Sequence, residues 1–160
     1  MKEWTDFFIL MGGAAATLTG LIFVGISINL NRIIAIPKLP SRASQALILL
    51  VTVLLICALY LVPDQSACLV GWEFLVTGAI IWVVTFRIDL KILYKTDKEY
   101  KRQYLMNAIF TQLSVLPYMV SGIVIMLKGF DGIYWVVPGI IFSFIKSVLD
   151  AWVLLVEINR

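Results

Sequence analysis

The chain contains no histidine, and its only cysteines are Cys57 and Cys68. The missing histidine removes Ser/His/Asp and Cys/His catalysis and any His-based metal site, so no enzyme activity, cofactor or metal is expected. Charge is scarce as well. Asp, Glu, Lys and Arg make up 14% of the 160 residues, where a soluble domain carries about 25%. Hydrophobic residues make up 61%, against about 45–50% in a soluble domain, and the mean hydropathy is +0.97. These values exclude a soluble globular domain and point to an integral membrane protein. A net charge of +3 would suggest nucleic acid in a soluble protein. In a membrane chain, loop Lys and Arg report topology instead, and no nucleic-acid partner is expected.

What is present is long apolar runs. A spanning helix needs about 20 mostly apolar residues. Five stretches qualify: 7–30, 43–62, 68–86, 104–127 and 133–156. The second stops at Pro63-Asp64-Gln65-Ser66, and Lys128-Gly129-Phe130-Asp131-Gly132 makes a tight turn between the last two. The expected fold is therefore an all-α, polytopic bundle of five transmembrane helices in a single domain, 1–160.

Placing the N-terminus outside puts ten of the thirteen basic residues on the inner side: Arg32, Lys38, Arg42, Arg87, Lys91, Lys95, Lys98, Lys101, Arg102 and Arg160. Only Lys2 and Lys128 fall outside, and Lys146 lies within the membrane. This asymmetry predicts an N-out, C-in orientation. The leading segment, with Lys2 offset by Glu3 and Asp6, reads as an uncleaved first helix rather than a signal peptide, because its apolar run passes Ala14-Ala15-Ala16 and continues to Leu30. Trp4, Trp72, Tyr134 and Trp135 fall at the outer interface; Tyr94, Tyr100, Tyr104 and Trp152 fall at the inner one, as in an aromatic belt.

Three stretches carry a family likeness. The first helix reads Trp4-x-x-Phe7, then Gly12-Gly13-Ala14-Ala15-Ala16-x-Leu18-Thr19-Gly20-Leu21-x-Phe23-Val24, then Ser27 and Asn29. The second begins Leu39-Pro40-x-Arg42-Ala43, and the last reads Tyr134-Trp135-x-Val137-Pro138-Gly139 and ends Ala151-Trp152-Val153-Leu154-Leu155-Val156-Glu157. Together they resemble a widespread, poorly characterised family of small bacterial inner-membrane proteins, some of which are described as modulators of a membrane-bound ATP-dependent protease. The resemblance implies a multi-pass protein of the bacterial cytoplasmic membrane. It brings no catalytic motif.

Several residues are costly in a bilayer. Lys146 lies about 20 Å from the outer end of the fifth span, and Asp150 about 6 Å further in, at 1.5 Å per residue. A charge near a helix centre costs about 2.5–3.5 kcal/mol on insertion scales. At i, i+4 the two can touch. They form either a structural ion pair or part of an ion, proton or solute path. Gly139, Ser143 and Glu157 share their face. On the fourth span Asn107, Thr111, Ser114, Tyr118 and Ser121 form a polar seam, with Gln112 beside it and Pro117 interrupting the backbone ladder. The tight turn sets Ser114 level with Lys146 and Thr111 level with Asp150, so the two seams can face one another.

Glu73 lies about 7 Å below the outer surface by the same rise. It either reaches the interface or joins an outer cation site with Thr77. Gly12, Ala16, Gly20 and Ser27 form a small-residue stripe for close helix packing, within the chain or between copies. The basic segment 87–103, from Arg87 to Arg102, is expected as an interfacial helix on anionic lipid. The inner loop 31–42 is expected to rest on the membrane or pack under the bundle. Cys57 and Cys68 flank the outer turn at different depths and read as two small apolar side chains.

Two functions follow. One is a homo-oligomeric channel or transporter for ions or small solutes using the polar seam. The other is an accessory membrane protein bound to a larger membrane complex such as a protease, with the polar residues purely structural.

Overall fold

A computed structural model of the chain describes residues 2–94 and 101–158. These residues are almost all helical, apart from short turns such as 36–38 and 61–66, and no strand occurs among them. In order they form α1 (Lys2–Ile28), a short α2 (Leu30–Ala35), α3 (Leu39–Tyr60), α4 (Ala67–Tyr94), α5 (Lys101–Lys128), a 3-10 segment (Gly129–Trp135) and α6 (Val136–Ile158). Four stretches are long and apolar enough to cross a membrane: Trp4–Ile28, Leu39–Tyr60, Ala67–Tyr94 and Lys101–Glu157. The last joins α5, the 3-10 segment and α6. Lys95, Lys98, Tyr100 and Arg160 of the charge and aromatic patterns lie outside the described residues.

Each break has a local cause. Lys38, at positive φ (75°), turns the chain into α3, whose first turn carries Pro40; proline loses nothing there because the first helical N–H groups have no partner. Gly129, with φ 75°, ends α5 in the left-handed conformation that glycine adopts without a Cβ clash.

α3 is the most enclosed helix. Of its most apolar window 56% is buried, against 11% for α1. It packs against α1, α4 and α6, and α5 packs between α4 and α6. The α4–α5 contact is the closest, and glycine makes it so. A Cβ on Gly122 would fall 2.7 Å from the carbonyl oxygen of Gly71, and one on Gly78 would fall 2.8 Å from Met119.

At one end of the bundle Phe8, Ile56, Phe74, Ile125, Ile133 and Ile140 form the main apolar core. At the opposite end Ile33, Leu39, Ala43 and Leu154 form a smaller one, so the 31–42 loop packs beneath the helices. Most remaining large apolar side chains, such as Leu21, Phe23, Ile80 and Ile123, face outward, as a lipid-facing surface requires.

Two boundaries differ from the sequence reading. The first helix ends at Ile28, and Asn29 separates it from α2. α4 continues past Phe86 to Tyr94, so the segment expected to leave the bundle at Arg87 remains helical and packed for two further turns. Arg87, Lys91, Lys101 and Arg102 are exposed, whereas Asp89 and Ile92 are buried.

Candidate functional site

α6 builds the first part of the site. Ser143, Lys146, Ser147 and Asp150 fall on its inward face and are all buried. The Lys146 ammonium donates to the Asp150 carboxylate, and the two residues are each 2% exposed. This is the only ion pair among the described residues. The Ser147 hydroxyl donates to the Ala46 carbonyl oxygen at 3.1 Å, which ties α6 to α3.

The second part was not legible as a site in the sequence. Asp89, on the extended end of α4, is only 4% exposed. Its carboxylate accepts from Gln45 Nε2 of α3 at 2.5 Å and from Gln112 Nε2 of α5 at 3.1 Å. Asp89 senses the charges of both Lys146 and Asp150, and both members of that pair sense Arg42 of α3. Two cations and two anions from three helices, Arg42, Asp89, Lys146 and Asp150, therefore lie within electrostatic reach of the Lys146–Asp150 pair, with α5 contributing an amide. A buried charge is tolerated only when paired or hydrogen-bonded, and here Asp89 accepts from two amides and Asp150 from Lys146. The Oε1 atoms of Gln45 and Gln112 are buried without a partner. They are acceptors left open beside the charges.

A signal for Asp89 was present. Gly71, Gly78, Thr85 and Ile92 are buried at seven-residue intervals along α4, and Asp89 lies one turn beyond Thr85 on the same face. That stripe continues unbroken past Arg87, so the helix could not end there without exposing its own packing face.

The α5 seam divides in two. Thr111 and Ser114 are buried, but their hydroxyls donate back to the Asn107 and Phe110 carbonyls of their own helix. Asn107 is half-buried. Nearer the 3-10 segment, Tyr118 lies against Gly139, where a Cβ would fall 2.9 Å from the ring, and its hydroxyl meets Ser143 at 3.0 Å. Ser121 donates to the Gly132 carbonyl at 2.8 Å. The Tyr118–Ser143 bond puts the two seams face to face in the antiparallel register expected from the turn.

Two groups of candidate residues lie elsewhere. Glu73 belongs to the opposite end of the bundle, where both its carboxylate oxygens accept from Gln65 at 3.0 and 3.2 Å; it is a turn anchor and no member of the cluster. In the α1 stripe only Gly12 packs within the chain, with its Cβ position 3.1 Å from Cys57. The packing face of α1 runs through Phe8, Gly12 and Ala15, whereas Ala16, Gly20 and Ser27 are exposed. Cys57 is buried, Cys68 is exposed, and both are free thiols.

A cavity of 480 Å³ opens at the end of the bundle nearest the cluster, lined among others by Lys38, Arg42, Tyr104, Trp152 and Glu157. Arg42 belongs to both the cavity wall and the charged cluster. Compared with known proteins, the chain matches no protein-family model, no curated protein and no solved structure.

Proposed function

We propose that the protein is a five-span protein of the bacterial inner membrane, with its N-terminus outside, that passes an ion or small charged solute through the buried cluster. The carrying observation is the convergence of Arg42, Asp89, Lys146 and Asp150 inside a helical bundle, beside two unpartnered amide oxygens. Ionisable side chains at membrane depth are expensive, and their commonest use is in an ion or proton pathway. The five-span count draws support from the α5–α6 contact, since Tyr118 and Ser143 can meet only if the 57-residue stretch folds back on itself. The orientation rests on the basic residues alone.

The cluster suits a gated path rather than an open pore. Lys146 has two carboxylates within electrostatic reach, Asp150 and Asp89. An ammonium exchanging between them would give two discrete arrangements of α4 and α6. Arg42 lines a cavity on one side of the cluster, and the packed core of Phe8, Phe74 and Ile140 lies on the other. Passage therefore requires those helices to shift.

The test is flux in liposomes carrying purified protein, with a pH-sensitive dye and imposed potassium or chloride gradients. Wild type should exceed empty liposomes, and Lys146→Met or Asp89→Asn should lower the rate at least tenfold at equal incorporation. Rates no higher than those of empty liposomes, or unchanged in both variants, refute the reading.

One observation favours the accessory role instead. Positions Gly13 and Gly20 of α1 have nothing within 4 Å of an added Cβ. An open small-residue face suits a second membrane helix, from another copy or from a larger complex such as the protease of the resembling family. Under this reading Gly20→Leu leaves the monomer folded but abolishes self-association or co-purification of a larger complex.

A further inference from the structure

The cavity at the basic end carries an inference that needs no flux, although it shares Arg42 with the charged cluster. Arg42 is 9% exposed, yet its guanidinium has neither a hydrogen-bonding nor an ion-paired partner among the described residues. It lies over the ring of Tyr104, whose centroid is 5.3 Å from the guanidinium carbon. Lys38 approaches the same ring at 4.8 Å. Two like charges are thus gathered around one aromatic side chain, in the wall of a 480 Å³ cavity. Glu157 also lines that cavity but pairs with neither cation, which leaves the lining with a surplus positive charge. Lys38 is the N-cap of α3 and Arg42 lies in its first turn, at the positive end of a 22-residue helix.

Guanidinium, ammonium and a helix N-terminus together suit a phosphate oxygen set, with the guanidinium fork supplying directional bonds and the ammonium a point charge. The apolar part of the wall, Ile36, Trp152 and Val156, lies beside them. We infer that this cavity is a phosphate-binding site in which Lys38 and Arg42 hold a phosphate group, and that the adjoining apolar wall fits it to the headgroup of an anionic phospholipid. Among the described residues of the basic segment 87–103, Gln103 alone lines it.

Native mass spectrometry of the full chain in mild detergent reads the occupancy, with phosphatidylglycerol, phosphatidylcholine, inorganic phosphate and glycerol 3-phosphate as probes. Wild type should retain phosphatidylglycerol at least tenfold better than phosphatidylcholine. Lys38→Gln and Arg42→Gln should each lose that preference, whereas Arg87→Gln, an exposed cation outside the cavity, should keep it. Competition by glycerol 3-phosphate or inorganic phosphate at micromolar concentration would keep the phosphate site but assign it to a soluble phosphate compound. Equal retention of both lipids without competition, or equal loss in Arg87→Gln, overturns the proposal. Thermal unfolding of each variant guards against misfolding, and Lys38→Gln, at a half-buried position, carries the test alone if Arg42→Gln does not fold.

Discussion

The cluster predicts a specific asymmetry between its members. Lys146→Met leaves Asp150 buried without the donor it has now, in a site that retains Asp89 and only Arg42 as a cation. Removing one partner of a buried pair typically costs about 3–5 kcal/mol, because an uncompensated charge remains. Asp150→Asn should cost less. The amide oxygen still accepts from Lys146, and Asp89 still lies within reach of the ammonium, so the loss should be nearer the value of one charge-assisted hydrogen bond, about 1.5–3 kcal/mol. Replacing both residues with apolar side chains, Lys146→Met with Asp150→Leu, removes the whole desolvation cost and should return stability to within about 1–2 kcal/mol of wild type. Unfolding by SDS titration in mild-detergent micelles, followed by circular dichroism, measures all three. The reasoning fails if the double variant loses the sum of the single costs, since the pair would then not act as a unit. It also fails if Asp150→Asn is the more damaging single change, because the residual acceptor and Asp89 would then contribute nothing.

Two further outcomes check the packing around the site. Gly122→Ala should destabilise by about 1–3 kcal/mol, since its methyl would fall 2.7 Å from the Gly71 carbonyl oxygen; Gly13→Ala, with nothing within 4 Å, should leave unfolding in the same SDS titration unchanged. Tyr118→Phe removes the hydroxyl that meets Ser143 and should cost about 1 kcal/mol, with the α-helical circular dichroism spectrum retained; no measurable change would mean the two seams are held together by packing alone.

Asp89 shows where reading along the chain stops. The sequence placed it in a charged segment with Arg87, Lys91 and the lysines beyond, which reads as an interfacial helix at the headgroups, outside the bundle. What keeps Asp89 inside is the pair of amides from Gln45 and Gln112, which lie 44 and 23 residues away. No local pattern announces donors at such separations. Gln45 itself follows Arg42, Ala43 and Ser44 near the start of an apolar run, where it gave no hint of a partner. In α1 the packing within the chain uses a face beside the small-residue stripe. Small residues at four-residue spacing identify a face on which helices can approach, but they do not choose between that face and the adjacent one, and Phe8 with Ala15 drew the packing to the neighbouring stripe.

Composition and periodicity alone determined that this chain is helical, apolar enough for a bilayer, and punctuated at residues 63–66 and 128–132, because each depends on a window of some 20 residues or on one turn. They also determined the Lys146–Asp150 contact, since i, i+4 on a helix places two side chains together whatever surrounds them. The register of α5 on α6 followed from the length of a short turn. Only the tertiary structure decided that the pair is half of a four-charge cluster, that Arg42 links it to a cavity, and that Glu73 stands apart at the other end. Those facts depend on how α3 and α4 pack against α5 and α6. That packing is set by close approach at Gly71, Gly78 and Gly122 and by hydrogen bonds between residues far apart in the chain, information that resides in the complementarity of surfaces and in no single stretch of sequence.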